Sequence, residues 1–135
     1  MERWMVTGAN GFLGSRITEY YQDKYEITGA NHGNLDITDE GAVTSFVKKA
    51  RPRLVIHCAA ISNTGTCQEN PGLSEAVNVK GAVNLARACR ETGSCLIFMS
   101  SDQIYAGNRT MEPGKEENTP EPVNVYGLHK RQAED

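Results

Sequence analysis

The chain has 135 residues, which is enough for one domain with a sizeable hydrophobic core. Fourteen basic and seventeen acidic residues give a formal net charge of −3, and no basic cluster indicates a nucleic-acid-binding surface. No apolar run approaches the roughly 20 residues of a transmembrane helix. We therefore expect neither nucleic acid nor a membrane as a partner.

Four short apolar stretches predict four β-strands, and helical patterns separate them. The stretches end in small or polar residues, as buried parallel strands do; they are RWMVTG at 3–8, YEITGA at 25–30, RLVIHCAA at 53–60 and CLIFMSS at 95–101. Helices are predicted at about 12–22, 39–50 and 73–92, and again from about 124. This alternation predicts right-handed βαβ crossovers and an α/β fold with a doubly wound parallel sheet.

Local signals indicate where the helices and loops lie. Asp36 or Thr38 could cap the second helix, Arg51 and Pro52 should end it, and Gly93 should stop the third. The stretch 106–123 is polar and rich in proline, so we expect a loop. The helix that follows runs to Asp135 and has neither a cap nor a stop signal at its C-terminal end.

The first strand and the first helix are joined by a glycine loop, TGANGFLG, with Gly8, Gly11 and Gly14. Glycines suit this junction because the loop must turn tightly, the backbone must approach a pyrophosphate, and the helix must pack closely on the strand. A tight turn without a ligand is the alternative, but the position at the first strand-to-helix junction favours a dinucleotide cofactor. The GxxGxxG spacing resembles that of the extended short-chain dehydrogenase/reductase superfamily.

This resemblance implies a set of cofactor contacts along the chain. The glycine loop would contribute Gly8, Asn10, Gly11, Phe12, Leu13 and Gly14, and the stretch LDITD would place Asp36 and Ile37 beside the adenine. Met99, near the end of the fourth strand, would be a further contact. Asp36 could equally be only a helix cap, and the two interpretations are compatible.

The stretch HCAAIS is similar to the Asn-Ala-Ala-Ala motif of the family, with His57 in the place of asparagine. Cys58, Ala59 and Ala60 would lie at the carboxyl end of the third strand, where small side chains leave room for a dinucleotide. A crowded core would suit them equally. A histidine inside an apolar strand is more often a core residue, so we do not expect His57 to be catalytic.

The choice between NAD and NADP depends on the end of the second strand, which reads GANHG at 29–33. An acid that would bind the adenosine ribose hydroxyl is missing there, and so is an arginine. Without this acid, the 2′-phosphate of NADP is not repelled, which weakly favours NADP. NAD stays open, because His32 is an unconvincing phosphate ligand.

The fourth strand ends in SSDQIYAG, which resembles the Ser-Thr-Asp-Tyr-Val-Phe-Asp-Gly pattern of the dTDP-4-dehydrorhamnose reductase branch. Ser101 takes the place of the threonine and Asp102 matches the aspartate, while Gln103 and Ala106 depart from the pattern. The resemblance implies that Ser101 and Asp102 bind a nucleotide-linked sugar. Asp102 disfavours an epimerase or dehydratase of the same superfamily.

Tyr126 and Lys130 lie four residues apart, so a helix would place them on one face. A nearby cation favours the phenolate form of a tyrosine, which would let Tyr126 exchange a proton near neutrality. Together with the glycine loop and Ser101, this spacing predicts a reductase. Ser101, Tyr126 and Lys130 are its candidate catalytic residues, and Tyr126 and Lys130 would also contact the cofactor.

The resemblance implies NAD(P)-dependent reduction of a nucleotide-linked 4-keto-6-deoxy sugar. Residues 1–135 would be the Rossmann-like NAD(P)-binding domain, truncated before a C-terminal substrate lobe. A non-catalytic dinucleotide-binding subunit, such as the relative that serves methionine adenosyltransferase, is the main alternative. A homodimer stays open. The four cysteines form no CxxC pair, so we expect free thiols, a cytoplasmic location and no metal site.

Overall fold

A computed structural model of the chain describes residues 1–107 and 111–135. Its centre is a sheet of four parallel strands, β1 (Arg3–Thr7), β2 (Glu26–Ala30), β3 (Leu54–His57) and β4 (Cys95–Phe98), in the order β2-β1-β3-β4. The four predicted strands are confirmed. β3 is shorter than its apolar run because Cys58 to Ala60 leave the sheet at its carboxyl edge.

Six α-helices surround the sheet in the part of the chain that the structure describes: α1 (Phe12–Tyr21), α2 (Glu40–Ala50), α3 (Thr64–Glu69), α4 (Pro71–Glu75), α5 (Gly81–Thr92) and α6 (Val125–Glu134). The predicted helix at 73–92 is helical throughout, but a π-helical turn, Ala76–Lys80, joins α4 to α5. No helix among the described residues is long and apolar enough to cross a bilayer.

The sequence interpretation missed α3. Its cap was a readable signal, because the Asn63 side chain accepts a hydrogen bond from the Thr66 backbone N–H at 2.8 Å. Residues 111–123 contain neither helix nor strand, as the predicted loop requires. The remainder of that loop includes Asn108, Arg109 and Thr110, which lie outside the described residues.

The strand order creates a crevice between β1 and β3. The chain passes from β1 to β2 on one side and then crosses to β3 on the other side. Right-handed connections therefore place α1 on one face of the sheet and α2 and α5 on the other, where α2 and α5 contact each other. In such a sheet, ligands bind outside the carboxyl ends of the strands where the order reverses.

The hydrophobic core lies between the sheet and the pair α2 and α5. Met5 and Val55 from adjacent strands meet Val43 and Val47 of α2 and Leu85 of α5, and all five are fully buried. Burying a side chain of this size stabilises the fold by about 1.5–3 kcal/mol. This core holds β1 and β3 rigidly side by side below the crevice.

The ends of α2 and α5 largely follow the sequence signals, with one correction. Neither Asp36 nor Thr38 caps α2, because Asp39 does so by accepting a hydrogen bond from the Ala42 backbone N–H at 2.9 Å. Arg51 ends α2 in the left-handed conformation (φ 47°). Gly93, with φ 73°, ends α5 as expected.

A buried polar pair joins β1 to β3 at their carboxyl ends. Thr7 Oγ1 lies 2.6 Å from His57 Nδ1 and accepts a hydrogen bond from the Ala59 backbone N–H at 3.2 Å. His57 is only 1% exposed, and its Nε2 has no hydrogen-bond partner among the described residues. Burial, with a smaller contribution from the Lys130 ammonium, lowers the pKa of His57 to about 4.

The depressed pKa of His57 predicts a loss of stability on acidification. As pH falls from 7 to 5, the unfolded chain protonates this histidine near its ordinary value of about 6.5, whereas the folded chain keeps it neutral down to about 4. The free energy of unfolding should fall by about 2 kcal/mol from this group alone. Urea unfolding of the parent and of His57→Asn at both pH values measures it, and equal losses in the two proteins would contradict the assignment.

Helix α6 packs against a short 3₁₀ turn, Asp102–Ile104, which follows β4. Asn124 caps α6 by accepting a hydrogen bond from the Gly127 backbone N–H at 2.7 Å, and its side-chain amide donates to Gln103 Oε1 at 3.0 Å. A Cβ on Gly127 would overlap the Gln103 carbonyl oxygen. Glycine at this position therefore allows the close contact between the helix and the turn.

Replacing Gly127 with alanine should destabilise the protein despite the better helix propensity of alanine. The overlap with a backbone oxygen cannot be relieved by a rotamer change, so we expect a loss of about 1–3 kcal/mol in the free energy of unfolding. Gly72→Ala in α4 is the matched control, because no atom lies within 4 Å of its Cβ position. It should gain about 0.5–1 kcal/mol, and the same sign for both variants in urea unfolding would contradict this packing.

Candidate functional site

A cavity of about 310 Å³ opens at the carboxyl ends of β1, β2 and β3. We call it the strand-end cavity. Its lining includes many of the residues that the sequence predicts as cofactor contacts, namely Gly8, Asn10, Gly11, Ile37, Cys58, Ala59 and Ala60. The sheet therefore brings together the glycine loop, the LDITD stretch and the HCAA stretch, which are distant in the sequence.

The glycine loop forms the wall of the strand-end cavity next to α1. Gly8 has φ 64°, and a Cβ there would lie 2.9 Å from the Ala59 backbone nitrogen, so only glycine fits. A Cβ on Gly14 would overlap the Gly8 carbonyl oxygen. The loop and the first turn of α1 are thus packed as closely as backbone atoms allow.

The amino end of α1 carries the groups that bind anions in many proteins. Gly11 caps the helix without a side-chain hydrogen bond, and no acidic residue lies in the first turn. The first backbone N–H groups of a helix have no partner within the helix and carry a partial positive charge. Phe12 is 87% exposed and Leu13 is 44% exposed, and neither side chain lines the cavity, so only their backbone groups are placed to bind phosphate.

The opposite end of the strand-end cavity is formed by the turn after β2. Asn31 accepts a hydrogen bond from the Gly33 backbone N–H at 2.7 Å, and the Asn34 side chain binds the Asn31 backbone N–H at 2.8 Å. Asn31 and His32 line the cavity, and no carboxylate or guanidinium does so among the described residues. This end of the cavity therefore carries no carboxylate charge.

Asp36 and Ile37 are separated by the structure. Ile37 is buried and lines the strand-end cavity, whereas Asp36 is exposed and does not line it. The Asp36 carboxylate accepts two hydrogen bonds from Thr38, one from its hydroxyl at 2.7 Å and one from its backbone N–H at 2.9 Å. These bonds lower the pKa of Asp36.

Tyr126 and Lys130 lie on one buried face of α6, as their spacing predicts. They are 8% and 4% exposed. Lys130 Nζ lies 6.0 Å from the centre of the Tyr126 ring, 4.8 Å from that of Phe98, and donates a hydrogen bond to the Met99 carbonyl oxygen at 2.8 Å. The ammonium is thereby held at the carboxyl end of β4.

The Lys130 ammonium also lies within electrostatic reach of the strand-end cavity. Burial lowers the pKa of Lys130, and the neighbouring Cys58 thiol acts in the opposite direction. Burial raises the pKa of Cys58, which lines the cavity, and here Lys130 is the opposing influence. The charge of Lys130 on α6 therefore acts on Cys58, a residue of the cavity wall.

Ser101 and Asp102 follow β4 and start the 3₁₀ turn. Ser101 Oγ accepts a hydrogen bond from the Gln103 backbone N–H at 3.1 Å and lies 3.4 Å from Asp102 Oδ1. Asp102 is exposed and lines a second, wider cavity that the polar loop after the turn encloses. Met99 enters the site through its backbone oxygen.

Several residues at the site were not found from the sequence. Asn31, Leu35, Ile61 and Val77 also line the strand-end cavity, and a buried polar network links Ser74, Asn78 and His129 behind it. The polar residues inside the apolar pattern of 73–92 were the available signal. Among the described residues no group of three or more His, Cys, Asp or Glu side chains could hold a metal ion.

Comparisons with known proteins agree with this architecture. The family model described as the RmlD substrate binding domain matches residues 2–135. Two curated relatives are a dTDP-4-dehydrorhamnose reductase of Streptomyces griseus, 39% identical over 98% of this chain and 43% of the relative, and the methionine adenosyltransferase 2 subunit beta of Xenopus laevis, 31% identical over 98% of this chain and 41% of the relative. The chain thus spans less than half the length of these relatives.

Solved structures superpose on nearly the whole chain. A dTDP-4-dehydrorhamnose reductase from Bacillus anthracis in complex with NADP gives a TM-score of 0.94 at 35% identity, covering 98% of this chain and 48% of that one. A UDP-glucose 4-epimerase from Thermus thermophilus in complex with NAD gives 0.91 at 30% identity, with the same coverage. The Rossmann-like fold with its strand-end cavity and the match over residues 2–135 show that the chain belongs to the RmlD substrate binding domain family, among extended short-chain dehydrogenases/reductases.

Proposed function

We propose that this chain supplies the NAD(P)-binding and proton-donating part of a reductase that acts on a nucleotide-linked 4-keto-6-deoxy sugar. The observation that carries the proposal is the placement of Tyr126 and Lys130 on one buried face of α6, with Lys130 Nζ bonded to the Met99 carbonyl oxygen and its charge acting on Cys58, which lines the strand-end cavity. The reductase names of relatives in Streptomyces griseus and Streptomyces niveus support the substrate class.

Three residues of the chain have separate roles in the proposed reduction of a ketone. A bound reduced dinucleotide would supply the hydride to the carbonyl carbon. Tyr126 gives its phenolic proton to the carbonyl oxygen, the Ser101 hydroxyl donates a hydrogen bond to that oxygen, and the Lys130 ammonium stabilises the phenolate that remains. The product is the alcohol, and solvent restores the proton on Tyr126.

The dinucleotide would lie across the strand ends, with its pyrophosphate at the first turn of α1. The backbone N–H groups of Phe12 and Leu13 supply hydrogen bonds without side-chain competition, whereas the Gly11 N–H is already bonded to the Gly8 carbonyl oxygen at 2.9 Å. The cavity end at Asn31 and His32 has no carboxylate to repel a 2′-phosphate, which favours NADP but leaves NAD acceptable. NADP and NAD each occur with one of the similar structures.

The comparisons favour one further candidate, a dinucleotide-binding regulatory subunit. Relatives named methionine adenosyltransferase 2 subunit beta are about as similar to this chain as one of the named reductases. The two functions share the strand-end cavity and differ in whether Tyr126 transfers a proton. Epimerases share the fold as well.

The proposal also covers the extent of the domain and the cellular location of the protein. Residues 1–135 act as one NAD(P)-binding domain, and the sugar makes its other contacts with residues outside them. The four cysteines are free thiols, which fits a reducing cytoplasm.

Replacing Gly11 with leucine should weaken dinucleotide binding. A Cβ at Gly11 lies 3.1 Å from the Gly8 carbonyl oxygen, and a larger side chain would cover the N–H groups of the first turn. Losing one or two charge-assisted hydrogen bonds should raise the Kd by about tenfold or more. Fluorescence titration with NADPH and NADH measures this, with Gly41→Leu on the exposed face of α2 as the matched control. Equal Kd values for both variants would contradict the site.

Replacing Tyr126 with phenylalanine should remove the proton donor and leave the cofactor site intact. We expect kcat of the full-length protein with dTDP-4-keto-6-deoxyglucose and NADPH to fall roughly 10²-fold or more, while the Kd for NADPH changes little. Tyr20→Phe, on the exposed face of α1, is the control and should keep full activity. Turnover near that of the parent in Tyr126→Phe would favour the regulatory-subunit function.

A further inference from the structure

A buried polar network connects the strand-end cavity to α6 and begins at Ile61. Asn78 Oδ1 accepts a hydrogen bond from the Ile61 backbone N–H at 2.9 Å, and Asn78 Nδ2 donates to the Ile61 carbonyl oxygen at 3.0 Å. Ile61 lines the cavity, and Asn78 is 2% exposed within the π-helical turn. One side chain thus fixes both backbone groups of a cavity residue.

The network continues from Asn78 to α6 through Ser74. Asn78 Nδ2 lies 3.4 Å from Ser74 Oγ, which lies 2.7 Å from His129 Nδ1. Ser74 is fully buried and His129 is 6% exposed. A serine hydroxyl can accept from the amide and donate to the imidazole at the same time, so the three side chains form a continuous chain of hydrogen bonds.

His129 belongs to the same buried face of α6 as Tyr126 and Lys130, because residues three and four apart on a helix are neighbours. That face has two polar anchors on different elements. Lys130 Nζ bonds Met99 beyond β4, and His129 bonds Ser74 of α4. Two anchors in two directions fix the rotation of a helix about its axis, which one anchor alone would leave free.

We propose that Ser74 and His129 are positioning residues that set the rotation of α6 and, through Asn78, tie it to Ile61 at the strand-end cavity. The inference rests on the proposed reductase function. Without the Ser74–His129 bond, α6 keeps its packing on the 3₁₀ turn, but its rotation about the helix axis is no longer fixed. Tyr126 and Lys130 then lose the orientation that they need relative to the substrate. Misplacement of a reacting group by about 1 Å can cost around 10²-fold in rate.

A matched pair of substitutions in the full-length protein tests the role of the bond. His129→Leu removes the hydrogen-bonding atom, whereas His129→Asn places a polar atom close to the position of Nδ1 and can still bond Ser74. We expect kcat to fall roughly 10- to 100-fold in His129→Leu and in Ser74→Ala, with the Kd for NADPH within about twofold of the parent. His129→Asn should recover most of the lost kcat.

The double variant Ser74→Ala/His129→Leu separates the bond from the two side chains. If they act through their mutual contact, the double variant should lose no more kcat than either single variant. Rates are measured well below the thermal midpoint of each variant, so that partial unfolding does not contribute. Multiplying losses, equal losses in His129→Leu and His129→Asn, or a parent-like kcat in His129→Leu would each overturn the proposal.

Hydrogen exchange supplies a readout that does not require turnover. NADPH should slow amide exchange in Val125–Glu134 of the parent and of His129→Asn, but not in His129→Leu. If the parent binds NADPH without reducing the sugar nucleotide, the reductase proposal alone fails, and this exchange pattern decides the role of the network. Slowing in all three proteins would overturn it, and absence of NADPH binding by the parent would contradict both proposals.

Discussion

The site depends on the close approach of β1 and β3 at their carboxyl ends. Thr7 Oγ1 bonds His57 Nδ1 and the Ala59 backbone N–H, and Gly8 lies so near Ala59 that a Cβ would not fit. The strand order reverses between these two strands, so the helices that follow them lie on opposite faces of the sheet. A cavity therefore opens at the carboxyl ends of β1 and β3, next to this contact. A looser junction would widen the cavity and separate the glycine loop from the HCAA stretch.

The second requirement of the site is a lysine held in the protein interior. Taking an ammonium out of water is costly, and burial lowers the pKa of Lys130 accordingly. The Met99 carbonyl oxygen at 2.8 Å and the Phe98 ring at 4.8 Å offset part of that cost. A buried lysine without a carboxylate partner among the described residues is energetically costly, and the catalytic role that we propose for Lys130 would give a reason for it.

The similar proteins include reductases, epimerases and subunits named methionine adenosyltransferase 2 subunit beta, so this scaffold does not by itself determine the reaction. The glycine loop and the small residues at the end of β3 serve any dinucleotide. In the proposed reductase, Ser101, Asp102 and the loop around the second cavity would face the reacting part of the substrate, so we expect the differences between these reactions to arise where β4 ends. The network of Ser74, Asn78 and His129 would add a further influence, since we propose that it sets the orientation of Tyr126 without touching the substrate.

The sequence by itself determined the order of the four strands and of the longer helices, the glycine loop and the pairing of Tyr126 with Lys130, because strand apolarity, glycine spacing and helical periodicity are local properties. It did not reveal the short helix α3. Only the tertiary structure decided which residue caps α2, that Ile37 but not Asp36 reaches the cavity, and that Ser74, Asn78 and His129 form one network. Ser74 and His129 are 55 positions apart, and their contact exists only because α6 packs against α4 and the π-helical turn. Hydrogen bonds between distant segments leave no periodic trace in a sequence, so the fold alone reveals them.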